Sequence, residues 1–136
     1  MKTYAPNSPE AVARVLAMAI VSDGELDRRE IHVLEDMDAY SAIGLTRNEF
    51  LKVAKDFCGD LARLDAPSIS LLAKDIFDPV VGAVTDRAMR DRAARLLVAV
   101  VGADNHHAPQ ERLLLSSILA AWSVDPDTLV GESSKK

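Results

Sequence analysis

Three things are scarce in this 136-residue sequence: cysteine, aromatic rings and basic charge. A single cysteine, Cys58, excludes an intramolecular disulfide framework and any zinc site built on several thiolates. Aromatic residues make up 4% of the chain, although hydrophobic residues make up 49%. The core must therefore be filled by Ala, Leu, Val, Ile and Met, a composition of closely packed helices rather than of a sheet. Lys and Arg number 16 against 21 Asp and Glu. That acidic balance excludes general nucleic-acid binding, because neutralising phosphates needs a basic surface. No apolar run reaches the roughly 18 residues of a membrane span, and no basic-then-apolar signal stretch opens the chain. The expectation is one soluble domain in the cytoplasm, with no direct membrane insertion.

Helix signals occupy most of the chain. Ser8-Pro9 supplies an N-cap and a proline at the first helical position, predicting a helix from Pro9 to Ser22 with Val12, Val15, Leu16 and Ala19 on one apolar stripe. Asp23-Gly24 is expected to stop it. A second helix is predicted from Asp27, with Glu30 completing a capping-box variant and Ile31, Leu34 and Met37 facing inward. Thr46-x-x-Glu49 opens a third, with Phe50, Val53, Ala54, Phe57 and Leu61 on one side. A fourth is placed around Ser68–Phe77 and is expected to break at Asp78-Pro79, before one or two apolar helical turns at Val80–Val84. Two stronger helices follow: Thr85–Ala103, with Met89, Ala93, Leu96, Leu97 and Val100 inward, and Pro109–Trp122, with Leu114, Leu115, Ile118, Leu119 and Trp122 inward. No stretch alternates with period two. The fold class expected is all-α, a compact bundle of six to seven helices, with an extension over 1–8, the domain over 9–123 and a polar tail over 124–136.

The chain also repeats itself. Ala13-Arg14-Val15-Leu16 returns as Ala94-Arg95-Leu96-Leu97, 81 positions later, and the same offset carries Asp23 onto Asp104, Glu30 onto Glu111 and Leu34 onto Leu115. Each copy reads as helix, Asp-bearing loop, helix, with a Glu seven residues after the Asp. Two such hairpins packed about a pseudo-twofold axis would bury both apolar stripes against each other.

The run Ala19-Ile20-Val21-Ser22-Asp23-Gly24-Glu25-Leu26-Asp27-Arg28-Arg29-Glu30, followed by Leu34, resembles the signature of TerB-like domains. Val100-Val101-Gly102-Ala103-Asp104 through Glu111 and Leu115 resembles the second signature of that family. The resemblance spans residues 9 to 123. It implies an all-helical fold with pseudo-symmetric halves, a link to stress or tellurite resistance, an acidic site for metal ions at Asp23, Glu30, Asp104 and Glu111, and no catalytic activity. The second loop departs from the pattern: Asn105 stands for the glycine, and His106-His107 replaces acidic and apolar residues.

The acidic residues admit two accounts. Asp23, Glu25, Asp27 and Glu30 put four carboxylates within eight residues, an oxygen-rich set of the kind hard divalent cations favour. The loop is not an EF-hand, because Arg28 and Leu34 occupy the positions that need Gly and Glu. A site would therefore draw on both loops, with Asp23, Asp27, Glu30, Asp104 and Glu111 as ligands and Glu25, His106 and His107 as secondary candidates. The ion would be Ca²⁺, Mg²⁺, Mn²⁺ or Zn²⁺, the imidazoles favouring the transition metals. The plainer account makes the Asp residues turn formers and the Glu residues caps at helix starts. It leaves the chain a protein-interaction module with a protein partner of unknown identity. No Ser, His and Asp stand at triad spacing, so catalysis is not expected. Arg87, Arg90, Arg92 and Arg95 read as a solvated helix face or a dock for an acidic partner, and Cys58 as a buried, inert thiol. Residues 23 to 38 hold seven acids against Arg28 and Arg29, and the remainder of the chain is balanced. The whole of the net charge of -5 thus falls on the first loop and the helix after it.

Overall fold

The computed structural model describes residues 4–22, 25–26, 28–63, 74–103 and 109–124. Along them run α1 (Pro9–Ile20), β1 (Val21–Ser22), β2 (Glu25–Leu26), α2 (Arg28–Asp36), α3 (Ala39–Ala42), α4 (Arg47–Arg63), α5 (Lys74–Val81), α6 (Arg87–Ala103) and α7 (Pro109–Ala121). The architecture is the all-α bundle expected, with seven helices among the described residues. No helix among them is long and apolar enough to cross a membrane.

Local chemistry accounts for most helix ends. Ser8 Oγ accepts the Ala11 N–H at 3.1 Å, so α1 begins at Pro9 as its cap predicts. The Thr46–Glu49 capping box closes in both directions. The Thr46 N–H donates to Glu49 Oε1 at 2.9 Å, and the Glu49 N–H donates to Thr46 Oγ1 at 3.2 Å. After α3, Gly44 sits at φ 87, its N–H bonded to Ser41 O and that of Leu45 to Tyr40 O, which completes a Schellman motif. The same pair of bonds ends α7, from Ser123 to Ala120 O and from Val124 to Leu119 O. There a serine takes the left-handed position, at φ 57.

Four expectations need correction. The first helix ends at Ile20 rather than Ser22, because Val21 and Ser22 leave it to pair antiparallel with Leu26 and Glu25. Nor is the buried side of α1 limited to the one stripe of Val12, Val15, Leu16 and Ala19: every residue from Ala11 to Ile20 is buried. It lies between α4, α6, α5 and α7, and its alanines let those neighbours approach closely. Pro79 does not break the chain but lies inside α5. Its last carbonyls, which every helix end leaves without intrahelical donors, are bonded by distant side chains: Arg14 Nη2 on Pro79 O at 3.3 Å and Trp122 Nε1 on Val81 O at 3.1 Å. Met37 is exposed at 39%, because α2 stops at Asp36 and Asp38 turns the chain at φ 55. Of the expected fourth helix, residues 68–73 lie outside the described residues.

The core joins the inward faces into one cluster. Leu16, Met18, Ile20, Leu34, Phe50, Phe57, Ile76, Leu97 and Ile118 are fully buried, and the Tyr40 and Phe50 rings stack tilted at 4.8 Å. Ile31, Leu61, Met89 and Leu115 are half-buried at its edge.

Residues 4–8 pack with this domain. Asn7 takes the left-handed conformation at φ 64 and gives its N–H to Ala83 O at 2.8 Å. Its Oδ1 accepts the N–H groups of Thr85 and Asp86 at 2.7 and 2.8 Å, and its Nδ2 donates to Thr85 Oγ1 at 2.8 Å. Asn7, two positions before α1, is thereby tied to the two residues just before α6. The end of α3 lies at the same pole, where Gly44 faces the Pro9 ring and Arg92 donates to Ala42 O. The Trp122–Val81 bond brings the ends of α5 and α7 there too. Since α1 and α6 pack along each other from this shared start, they run in the same sense, while α2 with α3 and α7 return.

Candidate functional site

That topology decides where the two acidic junctions of the repeat go. At about 1.5 Å per residue, α1 carries the chain about 18 Å and α6 about 25 Å away from the Asn7 pole. The α1–α2 connection and the α6–α7 connection therefore both leave from the far pole of the bundle. The hairpin formed by β1 and β2, the start of α2, the end of α6 and the start of α7 gather at that pole, with β2 packed on α4 and α2 on α6.

Of the candidate ligands, Glu30 is the one whose side chain the structure describes. It is the third residue of α2 and is buried, with 1% of its surface exposed, and it is engaged with a neighbour. At the third helical position a carboxylate faces the positive end of the helix dipole, which offsets part of the cost of taking it from water. Glu111 is likewise the third residue of its helix, α7. The sequence repeat is thus repeated in the secondary structure: each returning helix carries its Glu in the same place. Asp23, Asp27, Asp104, His106 and His107 lie outside the described residues. Glu25 is in β2, where its backbone pairs with Ser22. Among the described residues no three His, Cys, Asp or Glu side chains form a metal-binding group.

The pairing of Ser22 with Glu25 leaves two residues between them, Asp23-Gly24. Asp-Gly is the dipeptide that two-residue hairpin connections favour, because their backbone needs positive φ. The same two residues that read as a helix stop therefore stand at the connection of a short hairpin. The signal was available in the sequence as Asp-Gly flanked by Val-Ser and Glu-Leu, but two-residue strands are too short for period two to register.

The halves agree where they face the common core and differ where they do not. Ala13 and Ala94 are both fully buried, and so are Leu16 and Leu97. Arg14 is buried at 3% exposure, however, whereas its counterpart Arg95 is on the surface. Arg14 and Asp60 are polar core residues that sequence reasoning missed. The Arg14 guanidinium lies 5.0 Å from the centre of the Tyr4 ring and donates to Pro79 O. Burial pushes its pKa down, while Tyr4 and Asp60 pull it back up, and the group stays charged. Asp60 is buried beside it on α4 and also pairs with Arg63 at 2.5 Å.

The remaining singled-out residues have structural partners. Arg90 Nε donates to Val84 O at 2.7 Å and Arg92 Nη1 to Ala42 O at 3.1 Å, so two of the four α6 arginines hold carbonyls at the Asn7 pole. His32 is exposed, with Nδ1 3.9 Å from Glu35 Oε1. Glu35 pairs with Arg47, whose hydrogen bond lowers the Glu35 pKa. Burial, with the neighbouring Glu35 charge second, pushes the Tyr40 hydroxyl up to about 12. Cys58 is half-buried on α4 and engaged with a neighbour.

No family model matches the chain, and no curated protein and no solved structure matches it either.

Proposed function

We propose that the chain is a non-enzymatic, TerB-like helical domain that binds a divalent cation weakly at the far pole of its bundle, in the service of stress or tellurite resistance. One observation carries this reading. Both helix–loop–helix junctions leave from one pole, and each returning helix starts with a Glu as its third residue, Glu30 in α2 and Glu111 in α7. Asp23, Asp27 and Asp104 belong by sequence to those same junctions, and the reading takes them with Glu30 and Glu111 as the ligands, in a chain whose excess charge falls on residues 23 to 38. Glu25, His106 and His107 are the nearest additional donors in sequence.

A second reading is favoured by the hairpin: if Asp23-Gly24 serves the β1–β2 connection and the two Glu residues serve helix starts, the acidic residues are structural and the domain is an interaction module for a protein partner. Calorimetric titration of the metal-free protein with Ca²⁺, Mg²⁺, Mn²⁺ and Zn²⁺ separates the two. Heat that disappears in the Asp23→Asn/Asp104→Asn double variant, with the helical signal unchanged, supports the ion site. Absence of heat at millimolar ion, with the double variant merely less stable, refutes it in favour of the interaction module.

A further inference from the structure

We draw no further inference here: the strongest candidate, the uncharged outer face of α7 formed by Leu113, Ser116 and Ala120, is an unpartnered helix face, and nothing in the structure shows what covers it.

Discussion

Replacing Asn7 tests the claim that one side chain joins the starts of the two long parallel helices. Asn7→Ala removes three side-chain hydrogen bonds, two of them to N–H groups at the start of α6. Each is worth about 0.5–1.5 kcal/mol net, and the lower part of that range applies because water reaches this surface to replace the lost partner. Alanine also tolerates the left-handed conformation at φ 64 less well than asparagine, by about 1 kcal/mol. The expected loss is about 2–3 kcal/mol, read as a fall in the urea midpoint with an unchanged slope. Trp122 is the single tryptophan and its Nε1 bonds to Val81 O beside the clip, so its fluorescence reports on this pole while far-ultraviolet dichroism reports on the whole. Two further variants separate backbone from side chain. Asn7→Gly lacks the bonds but accepts positive φ, and should be about 1 kcal/mol more stable than Asn7→Ala. Asn7→Asp keeps the double acceptor and adds a negative charge at a helix start, and should lie within about 0.5 kcal/mol of the parent. If Asn7→Ala proves as stable as the parent, or if Asn7→Gly is no better than Asn7→Ala, the clip does not join the helices as described.

Further outcomes follow from other places in the bundle. Ser123→Gly should raise stability by about 0.5–1 kcal/mol, since glycine suits the left-handed position that ends α7; the reverse change, Gly44→Ala, should cost about 1–2 kcal/mol through backbone strain alone, because the added methyl meets the Pro9 ring at an ordinary 3.6 Å. Thermal denaturation of the pair checks both signs. Leu16→Ala and Leu97→Ala occupy equivalent buried places in the two halves and should each cost about 2–5 kcal/mol, whereas Leu113→Ala, at 55% exposure, should cost little. Equal stability for all three in denaturant would contradict the assignment of the core. Tyr40 should ionise near 12 in an ultraviolet titration of Tyr4→Phe, and Glu35→Gln should bring it down by removing the nearby negative charge. Because its pKa is raised on folding, the Tyr40 contribution to stability is intact below about pH 10 and lost as pH climbs towards 12; Glu35, whose pKa is lowered, contributes above the usual carboxylate range and loses that contribution as pH falls through it.

Whether a feature was legible in the sequence tracks how far away its partner stands. The Ser8 cap and the Thr46–Glu49 box act across three residues, so the sequence contains both participants in order, and the starts of α1 and α4 were readable. The end of α5 is not legible locally, because the donors to its last carbonyls, Arg14 and Trp122, lie 65 positions before Pro79 and 41 after Val81. Asn7 went unnoticed because the groups that it binds lie 78 and 79 positions away. The end of α1 was misplaced for a related reason: Val21 and Ser22 carry no strand pattern of their own and leave the helix only because Glu25 and Leu26 turn back to meet them.

The repeat follows a different rule, and it governs what can be said of the candidate site. Ala13 with Ala94, and Leu16 with Leu97, kept the same identity and the same burial because both members of each pair face the core that the halves share. Arg14 and Arg95 kept the identity but not the burial. Tyr4 and the end of α5 cover Arg14, whereas Arg95 lies on the surface. A repeated residue therefore has a repeated environment only where both copies meet the same surroundings, whether the shared core or the backbone of a helix end. Glu30 and Glu111 share the backbone part of such surroundings, since each is the third residue of its helix, where the dipole is positive wherever the helix stands. The same argument explains both proposed roles. A helix start favours a carboxylate through its dipole wherever it stands, and it becomes half of an ion site only if a second such start is brought beside it. The common direction of α1 and α6, tied at Asn7, brings the two starts to one pole, and that is why the ion titration and the Asn7 series bear on the same structure from its opposite ends.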